Sequence, residues 1–337
     1  MPAFSVFLVI VSSYLIVVQL SLKIKKETIF LLLLYIFLIH SIFTVISFLS
    51  YDFKELTLGF IVKNGNIDIL ESFRGSGILS AEGATVSLFL SSGFFLSLYL
   101  YLNSENKYSN FYACFFYIII ILAGVFVSGR TGFISFLIAL SFVFVYSLRN
   151  VLKFKINRKM PFFFVFFPVA LFLGGCFFYV IYQQSGGGQT AWGADNLEAA
   201  IKWFSSEGDI NNNNSTVMIL LREHVVINEN LWSLLFGDPE FLAGSSNHTD
   251  IGYLRIINNF GIIGFIMYYG AFFSLFLVVV NNAKIILDKF FITFLFINYV
   301  VLEFKEPFLG KLITVAPLLL ICFVILEQNR KEKIRAY

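Results

Sequence analysis

Of the 337 residues, 58% are hydrophobic and only 13% charged, with a mean hydropathy of +0.82. Soluble domains carry about 25% charged residues, so this chain has too few to cover a water-facing surface, and a soluble fold is excluded. A net charge of +3 says little until the charges are placed, while 44 Phe and 16 Tyr suit an outer face made of lipid, and no nucleic-acid partner is expected.

Backbone groups in lipid must bond within their own segment, so each apolar run of about 20 residues is expected to be a helix. In chain order the runs are 3–22, 28–49, 82–102, 111–127, 131–148, 161–183, 261–280, 290–302 and 312–326. The fold class expected is therefore an all-α polytopic integral membrane protein with about nine transmembrane helices. The first run has no basic leader and no small-residue cleavage site, so it is read as a span and not as a signal peptide. The fourth and fifth are separated by Ser128-Gly129-Arg130 alone, a tight hairpin. The eighth is short enough to be re-entrant. Cys114, Cys176 and Cys322 each lie inside an apolar run, with neither a disulfide framework nor metal spacing.

Orientation follows from Lys and Arg in the short connections. Lys23, Lys25 and Lys26; Lys107; Arg149, Lys153, Lys155, Arg158 and Lys159; Lys284 and Lys289; and Arg330, Lys331, Lys333 and Arg335 alternate with the spans on one side. That side holds most of the 24 basic residues and is expected to be cytoplasmic; the other holds most of the 21 acids. The N-terminus is then outside and the C-terminus inside. Three regions result: N-terminal helices over 1–184, including an outer loop at 50–81; a large outer loop at 185–260; and C-terminal helices with a basic tail at 261–337. In the large loop, Asp195 can cap a short helix through Phe204. Val217, Leu220, Leu221 and Val225 fall at helical spacing, as in an amphipathic helix lying on the membrane surface. Gly186–Gly188 follows no strand and is no phosphate-binding fingerprint.

Charge beside an apolar span is costly and needs a partner or a task. Arg130, between Ser128-Gly129 and Thr131-Gly132, is either a snorkelling anchor or an unobstructed phosphate ligand. A second cluster runs from Asn247-His248-Thr249-Asp250 through Gly252-Tyr253-Leu254-Arg255 to Gly261-Ile262-Ile263-Gly264. There His248, Asp250 and Arg255 supply the residue types for proton transfer, orientation and anion binding. Arg222 and His224 lie on the loop helix, Arg74 precedes the third span, and Glu82 opens it. Glu303, Lys305 and Glu306 have the simpler reading of pairing with one another at the interface, and His40 that of a packing or hydrogen-bonding residue in mid-span. No pair of His or Cys stands at i, i+3 or i+4, so no metal is indicated. Outward-facing arginines at lipid depth, with a His/Asp pair, suit a substrate with a pyrophosphate head and a lipid tail. That chemistry is glycosyl transfer from a lipid-linked donor.

Five features together resemble the Wzy-type O-antigen and capsular polysaccharide polymerases, relatives of the O-antigen ligases. They are Arg74-Gly75-Ser76-Gly77 with Glu82; Ser128-Gly129-Arg130-Thr131-Gly132; Arg222 with Leu235-Phe236-Gly237; the His248–Gly264 segment; and Phe304-Lys305-Glu306. The resemblance runs from about Phe73 to the C-terminus. It implies a multi-pass bacterial inner-membrane glycosyltransferase with a periplasmic site and neither metal nor cofactor. Its substrates would be undecaprenyl-pyrophosphate-linked glycan donor and acceptor, with a chain-length regulator as protein partner. Carried over by motif, Arg130 and Arg222 would bind pyrophosphate, and His248 would act as base or acceptor-positioning residue, oriented by Asp250. Arg74, Arg255, Lys305 and Glu82 would support substrate binding. Family members often have more spans and a cytoplasmic N-terminus, so beside them this chain lacks an N-terminal hairpin or starts late.

A ligase, which moves finished glycan onto lipid A core, is the nearest alternative. A flippase or transporter of lipid-linked sugars would need charges lining a path through the bilayer, whereas here they gather at span ends, and no internal repeat is visible. A membrane acyltransferase leaves the acidic outer loop unexplained.

Overall fold

The computed structural model describes residues 2–61, 75–78, 83–103, 111–129, 131–152, 227–228, 230–241, 249 and 251–335. The expected span at 161–183 and the expected helices of the large loop before residue 227 lie outside them. Among the described residues every regular element is helical. They are α1 (Pro2–Lys23), α2 (Lys26–Leu49), α3 (Tyr51–Ile61), α4 (Gly83–Leu102), α5 (Phe111–Ser128), α6 (Thr131–Leu152), α7 (Leu231–Phe236), α8 (Gly252–Asn282), α9 (Ile286–Leu302) and α10 (Leu312–Arg335). A 3-10 turn, Phe308–Gly310, joins the last two.

Four of these, α2, α4, α8 and the Leu312–Lys331 part of α10, are long and apolar enough to cross a membrane. At 1.5 Å per residue, the 24 residues of α2 reach about 36 Å, more than a hydrocarbon core of roughly 30 Å. Helix α2 leaves Leu32, Tyr35, Ile36 and Ile39 exposed, and α8 leaves Ile263, Ile266 and Met267 exposed. Water does not tolerate apolar bands of that kind, and lipid does. The chain is an all-α membrane protein.

Several boundaries differ from the apolar runs, because runs of hydrophobicity mark what fits lipid and not where the backbone turns. The eighth run extends back to Ile286, taking Asp288 and Lys289 into α9. The seventh, expected from residue 261, begins at Gly252, and Gly261 is a break inside it. The connection at 50–81, expected as an outer loop, contains α3, which no long apolar run announced.

Two compact units divide the chain, Met1–Leu33 with Ser206–Tyr337, and Leu34–Ser205. In the second, α4 is the central helix, buried along its whole length from Ala84 to Leu102. Phe37 of α2 meets its Phe89 at 4.8 Å, and Phe136 and Phe142 of α6 pack on its Phe94 and Phe95. Its serines remain in that apolar setting by bonding within the helix, Ser91 to the Ser87 carbonyl at 2.6 Å and Ser97 to that of Phe94 at 2.7 Å.

In the first unit α1 lies along α10, with Tyr14 edge-on to Phe323 at 5.5 Å and the Lys331 ammonium on the Ser21 carbonyl. The first turns of α2 and α9 are joined by a buried ion pair. Lys26 Nζ donates to both Asp288 oxygens, at 3.0 and 2.8 Å. Phe30 and Phe291 close over it edge to face, 6.4 Å apart.

Candidate functional site

Two groups of sequence-distant motifs are drawn together, one in each unit. In Leu34–Ser205 the segment Gly75-Ser76-Gly77 is tied to the helix ends around it. Gly75 N–H donates to the Val127 carbonyl at 2.9 Å, two residues before the Gly129 hairpin. Ser47 Oγ donates to the Ser76 carbonyl at 2.8 Å and accepts from Ser76 N–H at 2.9 Å. A Cβ on Gly77 would fall 2.0 Å from His40 Nε2, so only glycine lets the segment pass the imidazole. A Cβ on Gly129 would meet the Gly83 carbonyl oxygen at 3.5 Å. The backbone neighbours of Arg74, Glu82 and Arg130 thus share one end of this helix group.

Lys54 of α3 belongs to the same cluster and was not singled out from the sequence. It is fully buried, and burial pushes its ammonium down to about 8. Its carbonyl accepts from Thr57 Oγ1, which lies 3.5 Å from Ser76 Oγ. His40 is a packing residue: its ring stands edge-on to Phe89 at 4.8 Å, and neither nitrogen has a hydrogen-bond partner.

In the other unit the fold turns on two glycines with positive φ. Gly261 (φ 70°, ψ 177°) breaks α8, and Gly237 (φ 88°) ends α7. The two breaks lie back to back. A Cβ on Gly261 would be 2.1 Å from the Leu235 carbonyl oxygen, and one on Gly237 would be 2.4 Å from that of Asn259. Asp238 N–H donates to the Asn258 carbonyl at 2.7 Å, and the buried Asn258 side chain accepts from Asn228 N–H at 3.3 Å. Such backbone torsions are open essentially to glycine alone. Leu235-Phe236-Gly237 and Asn258-Asn259-Phe260-Gly261 are therefore two halves of one joint.

Because α8 folds back at Gly261, Tyr253 before the break and Tyr269 after it stand 5.1 Å apart. A Cβ on Gly252 would lie 2.4 Å from the Glu303 carbonyl oxygen and 2.7 Å from that of Glu306. Gly252 consequently rests on the Glu303–Glu306 turn, with Thr249 and Ile251 buried. Glu303 and Glu306 do not form the simple mutual pairing with Lys305 expected at an interface. Glu303 is fully buried and accepts from Tyr269 Oη at 2.8 Å and from Leu309 N–H at 3.0 Å. Glu306 pairs with Lys311 at 2.7 Å. Burial raises the Glu303 carboxyl to about 7, against the hydrogen bonds from Leu309 and Tyr269 and the field of Lys311, which hold it down. Tyr268 Oη, on the same face, is buried without a partner.

Of the site residues expected from sequence, Arg255 is exposed one turn into α8, and Lys305 is partly exposed just after α9. Arg74, Glu82, Arg130, Arg222, His248 and Asp250 lie outside the described residues. Among the described residues no three His, Cys, Asp or Glu side chains gather as metal ligands. Comparison with family models, with curated proteins and with solved structures returns no match.

Proposed function

We propose that the chain is a metal-independent glycosyltransferase of the bacterial inner membrane. It joins undecaprenyl-pyrophosphate-linked repeat units into O-antigen or capsular polysaccharide at the periplasmic face. An acceptor sugar hydroxyl attacks the anomeric carbon of the donor, the bond to the pyrophosphate breaks, and the lipid diphosphate leaves with the electron pair. Arg130 and Arg222 hold that diphosphate, since the guanidinium fork matches phosphate oxygens in pairs. His248, oriented by Asp250, positions or deprotonates the acceptor, while Arg74, Arg255, Lys305 and Glu82 line its approach. The reading includes nine spans, an outside N-terminus and a cytoplasmic C-terminus.

The observation that carries it is the convergence of the motifs. The Gly75–Gly77 segment is bonded beside the Gly129 hairpin, the Gly237 and Gly261 motifs interlock, and Gly252 rests on the Glu303–Glu306 turn. Motifs that were merely short in sequence share common ends of their helix groups, as residues of a site must. The pairing of Lys26 with Asp288, from two connections both assigned to the cytoplasmic side, further supports the alternation of spans.

The test is surface-polysaccharide length in a strain lacking the gene, complemented with wild type, Arg130→Ala or His248→Ala. Single repeat units in the deletion, a ladder restored by wild type, and none restored by variants at normal membrane levels are expected. Core without repeats, with long lipid-linked polymer accumulating, would identify a ligase instead. A full ladder from both variants would refute the site assignment.

A further inference from the structure

The transferase reading leaves open where the acceptor proton goes, and the cluster beside Gly252 and the Glu303–Glu306 turn answers that chemistry. Glu303 is the most enclosed acid on the α9–α10 connection, at 0% exposure, yet it is not spent on an ion pair. One oxygen takes the Tyr269 hydroxyl and the other the Leu309 amide. Tyr269, which donates to Glu303 at 2.8 Å, is only part-buried. Tyr253 and Tyr268 flank it with ring centroids 5.1 Å away on each side. Lys311 forms its ion pair with Glu306 at 2.7 Å and reaches Glu303 only through its field. A buried carboxylate outside any ion pair, hydrogen-bonded to the hydroxyl of a part-buried tyrosine, is arranged to receive a proton.

We propose that Tyr269 and Glu303 form the proton-accepting pair of the glycosyl transfer, with Tyr269 meeting the acceptor hydroxyl and Glu303 acting through it as a positioning residue and proton store. The proposal rests on the transferase reading and assigns His248 to holding the acceptor. As the acceptor oxygen bonds to the anomeric carbon and the carbon–pyrophosphate bond breaks, the acceptor proton passes to Tyr269 Oη. The proton of Tyr269 passes in the same step to Glu303, which releases it to water at the outer face before the next turnover. Charge balances: one proton leaves the acceptor, one is held by Glu303, and the electron pair departs on the diphosphate. A carboxyl that burial lifts to about 7 is matched to taking and returning a proton near neutral pH. The groups that face it are Tyr253, Tyr268 and Tyr269 from α8, and Lys311 from the connection to α10.

The alternative is that Glu303 merely staples the turn through Leu309. Glutamine separates the two, since its amide oxygen still accepts a hydrogen bond but takes up no proton. The experiment uses the full-length protein in nanodiscs. Its probe is the lipid-linked repeat unit extracted from cells that lack the gene, and kcat and KM are measured from pH 5 to 9. General-base contributions are of order 10²–10⁴-fold. Glu303→Gln is expected to lower kcat at least about 100-fold with KM within about threefold, and Glu303→Asp to recover part of kcat with a displaced acid limb. Tyr269→Phe, which removes one oxygen and keeps the ring, is expected to lower kcat comparably and guards against a Glu303 variant that fails to fold. Wild-type turnover with either Glu303→Gln or Tyr269→Phe within threefold of it overturns the pair while leaving the transferase reading intact. A wild-type protein that makes no polymer from the probe overturns both.

Discussion

Replacing Asp288 with Asn will test how the helices of the Met1–Leu33 and Ser206–Tyr337 unit are fastened. The Lys26 and Asp288 side chains are only 3% and 2% exposed, and the ammonium bridges both carboxylate oxygens within 3.0 Å. Removing one partner takes from the other its close opposite charge in a buried setting, which costs about 3–5 kcal/mol. The two single variants are not equivalent. Asp288 stands in the first turn of α9, where free backbone N–H groups favour an anion, whereas Lys26 opens α2, where the helix dipole disfavours a cation. Asp288→Asn is therefore the worse change, by roughly 0.3–1 kcal/mol, the usual size of a helix-terminus term. The double variant Lys26→Met/Asp288→Leu, which fills the space with apolar atoms beside Phe30 and Phe291, is expected near wild type, because hydrophobic replacements of buried pairs are commonly neutral or stabilising. The assay is denaturant unfolding in mixed micelles of Asp288→Asn and of a double-mutant cycle built from Lys26→Met, Asp288→Leu and the two combined. Additive single and double variants, or an Asp288→Asn protein as stable as wild type, would refute the reasoning.

Three further outcomes follow from the packing. Gly261→Ala puts a Cβ 2.1 Å from the Leu235 carbonyl oxygen at a φ of 70°; a loss of about 3 kcal/mol or more is expected, read as a drop in apparent melting temperature, and an unchanged melt would show that the α7–α8 joint is dispensable. Gly77→Ala drives a methyl into the His40 ring and should cost about 1–3 kcal/mol, while adding His40→Ala should restore most of it; absence of rescue would mean the clash lies elsewhere. Glu303 predicts a pH dependence of stability. Its folded carboxyl is raised from 4.5 to about 7, so between those values the folded state keeps a proton that the unfolded chain has lost. Stability should fall on the order of 3 kcal/mol as pH rises through that window, at about 1.4 kcal/mol per unit, and be flat on either side. A slope unchanged in Glu303→Gln would place its source on another group.

Composition and hydropathy by themselves determined that the protein is helical and lives in a membrane, because lipid satisfies no backbone group and tolerates few charges. They also located α1, α2, α4, α5 and α6 to within a few residues, since long apolar runs bounded by Lys, Asn or Gly leave little freedom. The break at Gly261 could not be read there. Glycine is common in membrane helices, and only its contact with the Leu235 carbonyl reveals the torsion it adopts. Similarly, Glu303, Lys305 and Glu306 in succession looked like a small interfacial ion cluster. The burial of Glu303 and its choice of Tyr269, 34 residues back in the chain, come from a distant element, which leaves Lys311 to Glu306. Lys26 counted in sequence as a cytoplasmic marker, and its partner stands 262 residues on. Apolar periodicity is a local property and survives in a string of letters. Which charge is buried, and against what, depends on contacts between distant segments, and only the tertiary structure decides it.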